Sequence, residues 1–135
     1  MILFSTENIL GTVSQSGGVP TGAVIERGSN ANGEYVRFAD GTQICTKVVT
    51  FPATQTANGS MYVSDSDEEW TFPAAFAATP AVSGSRDFSL SRAAFICAPG
   101  TGPSDPTLSF RGRACATTSD ASTRGYNLMA VGRWL

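Results

Sequence analysis

Apolar and polar positions change their rhythm at Tyr35. From there on, short apolar or β-branched runs alternate with turn residues. Tyr35–Ala39 and Thr42–Val49 flank Asp40-Gly41. That dipeptide between two alternating runs predicts a hairpin with a type I′ turn, because both central residues of such a turn need positive φ. Further runs stand at Ser60–Val63, Ala81–Ser83, Ala93–Cys97, Leu108–Cys115 and Tyr126–Trp134, with turn residues at Asn58-Gly59, Pro99-Gly100 and Gly102-Pro103. Roughly seven strands at this spacing predict an all-β fold, an antiparallel β-sandwich over residues 35–135. Trp70–Phe76 interrupts the strands: Pro73 ends any strand there, and the segment is expected to form a corner that plugs one end of the sandwich. In the last run Tyr126, Leu128, Ala130 and Gly132 fall on one side and Met129, Val131 and Arg133 on the other. Full pairing of that strand is expected, with Trp134 packed.

Residues 1–34 have another texture. Gly11, Gly17, Gly18, Gly22, Gly28, Gly33 and Pro20 separate apolar pieces too short for a self-standing helix. Val13, Val19, Val24 and Ile25 are more apolar than a free linker carries. The segment is expected to be an N-terminal attachment and oligomerisation arm, ordered by other proteins or by sister copies.

Composition narrows the chemistry. The 135 residues suit one core. A net charge of −2 offers no basic footprint for nucleic acid, and no run approaches the ~20 apolar residues of a membrane helix, so neither partner is expected. There is no His, which excludes His-based catalytic triads and His-ligated zinc. Cys45, Cys97 and Cys115 form no Cys-x-x-Cys and are expected as three reduced, buried thiols. The start of the chain lacks a basic n-region, so ordinary export is not expected.

The strings GEYVRFADGTQIC at 33–45, WTFPAAFAATPAV at 70–82 and AVGRWL at 130–135 resemble the receptor-binding domains that end tail fibres and spikes of bacteriophages, prophages and gene transfer agents. The leader GTVSQSGGVPTGAVIERGSNANG at 11–33 is similar to the segment preceding such domains. The resemblance implies a sandwich like that of H-type lectins, homo-oligomers, and carriage on a virion made in the bacterial cytoplasm and released by lysis. It also implies a host surface polysaccharide as partner, with residues 1–34 meeting other virion proteins. Only 34 residues precede the sandwich where such proteins carry long stalks, so an adaptor or capsid-vertex spike base is the structural alternative.

A binder of sugars needs planar, donor-rich side chains and an apolar platform. With eight Arg and one Lys in the chain, Arg86, Asp87 and Arg92 in a turn-like stretch, with Tyr62 for stacking, are the candidate ligand-binding residues. No catalytic residue, metal ligand or cofactor is expected. Asp65-Ser66-Asp67-Glu68-Glu69 invites a calcium reading, but Trp70 and Phe76 stand where an EF-hand needs Gly and Glu, so a solvated acidic loop is expected, with a looser oxygen-ligand cation site as the lesser alternative. Asp65, Asp67, Asp87 and Asp105 are the carboxylates a small polysaccharide-degrading enzyme would draw on.

Overall fold

The computed structural model describes residues 6–86, 93–98 and 102–135. They are all-β, apart from one helical turn at Thr6–Ile9 (α1). No helix among the described residues is long and apolar enough to cross a membrane. The strands are β1 (Gln15–Ser16), β2 (Val19–Pro20), β3 (Ile25–Asn30), β4 (Gly33–Phe38), β5 (Thr42–Phe51), β6 (Thr56–Asn58), β7 (Met61–Val63), β8 (Glu68–Thr71), β9 (Ala81–Arg86), β10 (Ala94–Cys97), β11 (Ser109–Ala116) and β12 (Arg124–Arg133). Beside the small β1-β2 ribbon lie two five-stranded antiparallel sheets. One runs β3-β4-β5-β12-β9; the other runs β10-β11-β7-β6, with β8 also on β11.

Both sheets feed one core. Cys45, Val49 and Phe51 of β5 and Tyr126, Leu128 and Ala130 of β12 pack with Trp70 of β8, Ala114 of β11 and the corner residues Phe72 and Phe76. Aromatic rings meet edge to face: Phe51 with Tyr126 at 5.2 Å, Trp70 with Phe72 at 5.0 Å, Phe72 with Phe76 at 5.1 Å. This is the favoured geometry for ring quadrupoles and adds to the area buried.

The final strand is paired along its whole length. β12 runs beside β5 from Arg124↔Phe51 to Arg133↔Thr42, and beside β9 from Tyr126↔Arg86 to Val131↔Ala81. Its alternation follows the expected faces, with Tyr126, Leu128 and Ala130 buried and Met129 and Val131 exposed. Trp134 is half-buried, its indole donating to the Phe38 carbonyl at 2.7 Å, so it fastens the terminus to the hairpin instead of sitting deep in the core.

The Asp40-Gly41 hairpin forms, but with a different turn. The register Arg37↔Gln43 leaves a loop of Ala39, Asp40 and Gly41, in which Gly41 donates to the Phe38 carbonyl and has φ 96°. This is the three-residue hairpin loop in which glycine supplies the left-handed residue. Asp40 accepts from the Thr42 amide at 2.9 Å, and these hydrogen bonds hold its carboxyl below the usual range. Two consecutive glycines of positive φ, Gly17 and Gly18, occur instead in the turn between β1 and β2.

Three further expectations need adjustment. The boundary drawn after residue 34 falls inside β4, and β3 pairs with β4 from Ile25↔Phe38 to Asn30↔Gly33, so the sheet reaches back to Ile25. The exposed Gly-rich texture of this stretch hides an edge strand, which needs little apolar surface. Trp70 lies within β8, and the corner begins at Phe72. Cys97 and Cys115 are joined in a disulfide. Antiparallel pairing of β10 with β11 sets Phe95 opposite Cys115 and Cys97 opposite Arg113, bringing together two residues that are distant in sequence. Only Cys45 matches the expected buried free thiol, and burial raises its pKa.

The three strings quoted above come together in space. The amide of Gln43, wholly buried, donates to the Ala74 carbonyl at 2.9 Å and the Ala75 carbonyl at 3.2 Å, and its oxygen accepts from Arg37 at 2.7 Å. Ala77 donates to Arg133 and Trp134 to Gly41, closing hairpin, corner and terminus on one another. Replacing Gln43 by Leu keeps most of the volume but strips the donors from two carbonyls. Loss of about 2 to 4 kcal/mol is expected, read as a fall in denaturation midpoint at unchanged slope. A variant with the parent's midpoint would remove Gln43 from this role.

Candidate functional site

The site grows from the C-terminal end of β9 and the loop that leads into β12. Arg86, the last residue of β9, lies opposite Tyr126 in the sheet. Asp120 is fixed by backbone: Thr54 donates to its carbonyl at 2.9 Å and its amide returns a bond to Thr54 at 3.1 Å. Its carboxylate accepts from the Ser122 amide at 3.0 Å on one oxygen and from Arg124 Nε at 3.1 Å on the other. Arg86 Nη2 lies 3.6 Å from that same second oxygen. The side chains of Arg86 and Asp120 are only 11% and 7% exposed, so this pair is screened far less than a surface pair, whereas Arg124 at 30% reaches toward solvent.

Over this cluster opens a recess of about 430 Å³, lined by Gln55, Arg86, Ser119, Asp120, Ser122 and Arg124. Two guanidinium planes, a carboxamide and two hydroxyl-bearing residues make a wall of directional hydrogen-bonding groups. Such groups can offer a polar ligand several modest hydrogen bonds.

Of the four residues expected to bind ligand, Arg86 lines this recess. Tyr62 is half-buried on β7 opposite Ala57 and Ala116 and is not part of the wall. Asp87 and Arg92 lie outside the described residues. Sequence reasoning missed Gln55, Asp120 and Arg124. The one available signal was an Asp four positions before an Arg at the mouth of the last strand, too common a pattern to stand out.

The acidic run does not converge. Asp65 accepts from the Thr56 hydroxyl at 2.9 Å, Asp67 faces Arg111 and Arg113, and Glu69 accepts from Ser109 at 2.6 Å. Among the described residues no three acidic or thiol groups cluster as metal ligands would. Asp105 is turned inward on its own loop, accepting from the Thr107 amide and hydroxyl, which lower its pKa. A second, more apolar cleft of about 280 Å³ lies among Phe72, Pro80, Val82, Pro103, Pro106 and Phe110.

One face of the β3–β9 sheet also presents apolar side chains to solvent. Val36 and Ile44 are opposite each other, Ile44 is opposite Val131, and the exposed Met129 and Val48 lie on neighbouring positions of that face.

No family model, curated protein or solved structure matches this chain.

Asp120 is the one counter-charge that the described residues give two arginines, one of them largely shielded from solvent. Asp120→Ala is expected to cost about 3 kcal/mol, because removing one partner of a shielded pair strands the other. Arg124→Ala, at the wet end of the cluster, should cost under about 1 kcal/mol. Thermal melts of the two variants check the order. Equal melting points would mean that Arg86 is well solvated.

Proposed function

We propose that this chain is a non-enzymatic, virion-associated spike or tail-fibre component that binds host cell-surface polysaccharide, with the recess at Arg86, Asp120 and Arg124 as its sugar site. The observation that carries this reading is the wall itself: flat, donor-rich guanidinium and amide groups beside hydroxyls, on a scaffold of paired strands. A rigid sheet bearing such groups at strand ends suits recognition, since binding residues concentrate where strands give way to loops. In support of an H-type-lectin-like β-sandwich, two antiparallel sheets contribute to one core. The hairpin and corner strings on which the resemblance rests meet at Gln43, whose amide donates to the Ala74 and Ala75 carbonyls. The Cys97–Cys115 disulfide suits a protein that works outside the reducing cytoplasm. Asp120 accepts from Ser122 and Arg124 and faces Arg86, which fits a binding role better than that of a glycosidase acid or base.

Capture of labelled bacterial surface polysaccharides by the immobilised protein tests the reading. Binding of at least one polysaccharide, weakened about tenfold or more by Arg124→Ala and without release of reducing ends, is expected. Release of reducing ends would favour a polysaccharide-degrading enzyme. The absence of any capture would favour the adaptor reading, which the exposed Val48, Met129 and Val131 face supports as a protein-binding surface.

Within the same reading, copies associate through that sheet face, and the residues before β3 attach to other virion proteins. Light scattering is expected to give a multiple of 14.1 kDa, reduced by Val131→Lys. Deleting residues 1–24 should spare the fold and abolish incorporation into particles. A 14.1 kDa species at micromolar concentration, or normal incorporation of the truncated chain, would overturn the corresponding half.

A further inference from the structure

The charges around the recess do not cancel. Among the described residues, two guanidiniums, Arg86 and Arg124, face the Asp120 carboxylate, and no other acidic residue lines the recess. That carboxylate already accepts from the Ser122 amide and from Arg124 Nε. What remains for Arg86 is an approach of 3.6 Å, longer than a hydrogen bond between charged groups. Accordingly Arg86 Nε and Nη2 are buried and make no hydrogen bond. A void of about 10 Å³ lies beneath the recess against Arg86, Thr54, Asp120, Ser122, Arg124 and Tyr126, no larger than one water. A shielded guanidinium with unused donors, next to a second one that is part-exposed and lines the opening, leaves these described groups one negative charge short.

We propose that this recess recognises an anionic substituent on the sugar, the carboxylate of an acidic monosaccharide or an ester-linked sulfate or phosphate, so that the polysaccharide bound is an acidic one. This rests on the polysaccharide reading above and narrows it to a class. A carboxylate or sulfate entering the recess meets the part-exposed guanidinium of Arg124, whose planar donors suit bidentate anion recognition, while the shielded Arg86 behind it adds a charge that Asp120 meets only at 3.6 Å. Gln55, Ser119 and Ser122 remain for the neutral hydroxyls of the same ring. Asp120 acts as the positioning group: it holds both guanidiniums in place while leaving the recess with an excess of positive charge. The protein as a whole carries −2, so the attraction is local to this recess and is screened by salt.

The experiment uses the full chain and an array of bacterial surface polysaccharides, each printed in native form, after carboxyl reduction and after removal of sulfate and phosphate esters. In parallel, D-glucuronate, glucose 6-sulfate and glucose are titrated while the Arg Nε–H resonances are followed by NMR. Captured polysaccharides are expected to be acidic and to lose about tenfold or more in apparent affinity when neutralised. Which neutralisation abolishes binding separates carboxylate from ester as the source. The acidic monosaccharides, and not glucose, are expected to move the Arg124 and Arg86 signals, less so at higher salt. Arg124→Gln should erase the preference for the acidic form, whereas Asp120→Asn, which keeps a side-chain acceptor for the Ser122 amide, should tighten anion binding severalfold.

Equal capture of native and neutralised polysaccharide overturns the inference and leaves the polysaccharide reading standing. No capture of any polysaccharide, with the Arg signals still moved by glucuronate or glucose 6-sulfate, sustains the anion site and overturns the receptor reading. Neither capture nor movement overturns both.

Discussion

One buried side-chain amide braces the place where hairpin, corner and terminal strand, themselves joined by backbone hydrogen bonds, come together. Gln43 sits on β5 at the base of the Asp40-Gly41 hairpin, wholly buried, and its donors end on carbonyls of the corner between β8 and β9. Those carbonyls belong to a part-exposed segment without sheet partners of its own, and the buried amide of Gln43 finds its acceptors there. Once the corner is seated, Phe76 and Pro80 lie against Gly132, where a Cβ would come within 2.9 Å of the Phe76 ring. The final strand passes under the corner because residue 132 has no side chain. Arg37 completes the arrangement by donating to the Gln43 oxygen and lying over the Tyr35 and Trp134 rings.

What the sequence made legible were features whose cause is local. The hairpin at Asp40-Gly41 follows from turn chemistry, and the faces of β12 follow from strict alternation, since every second residue faces the same way. The turn type was misjudged because a three-residue loop with glycine at its end and a two-residue loop share the same dipeptide. The disulfide and the Arg86–Asp120–Arg124 cluster depend on which strands become neighbours, and nothing near Cys97 announces β11. β3 was obscured for another reason: as an edge strand with exposed or half-buried positions throughout, it carries no apolar alternation to detect.

The recess illustrates how a site is built from structural parts. Asp120 first serves the fold, pairing its backbone with Thr54 and capping Ser122. Its carboxylate then organises two guanidiniums that come from different strands, Arg86 from β9 and Arg124 from β12. Both strands belong to the same sheet, so any ligand bridging the arginines would sense the register between them. A rigid, doubly hydrogen-bonded frame spares much of the ordering entropy that a pair of free surface arginines would lose on binding.

The order of strands in the larger sheet also constrains how the protein comes to be folded. β12 lies between β5 and β9, yet it follows both in the chain, and its contacts with β5 join residues as far apart as Thr42 and Arg133. Until it docks, the β3-β4-β5 meander has an open edge on β5, and β9 has no partner in that sheet. Pairing over such separations is slow relative to hairpin closure. During that interval the unpaired ladder of β5, ten residues long with Val48 outward, is the surface most able to capture a second unfinished chain. A protein of this topology is therefore most exposed to misassembly before its last strand arrives, and the strand that completes the sheet also closes its most reactive edge.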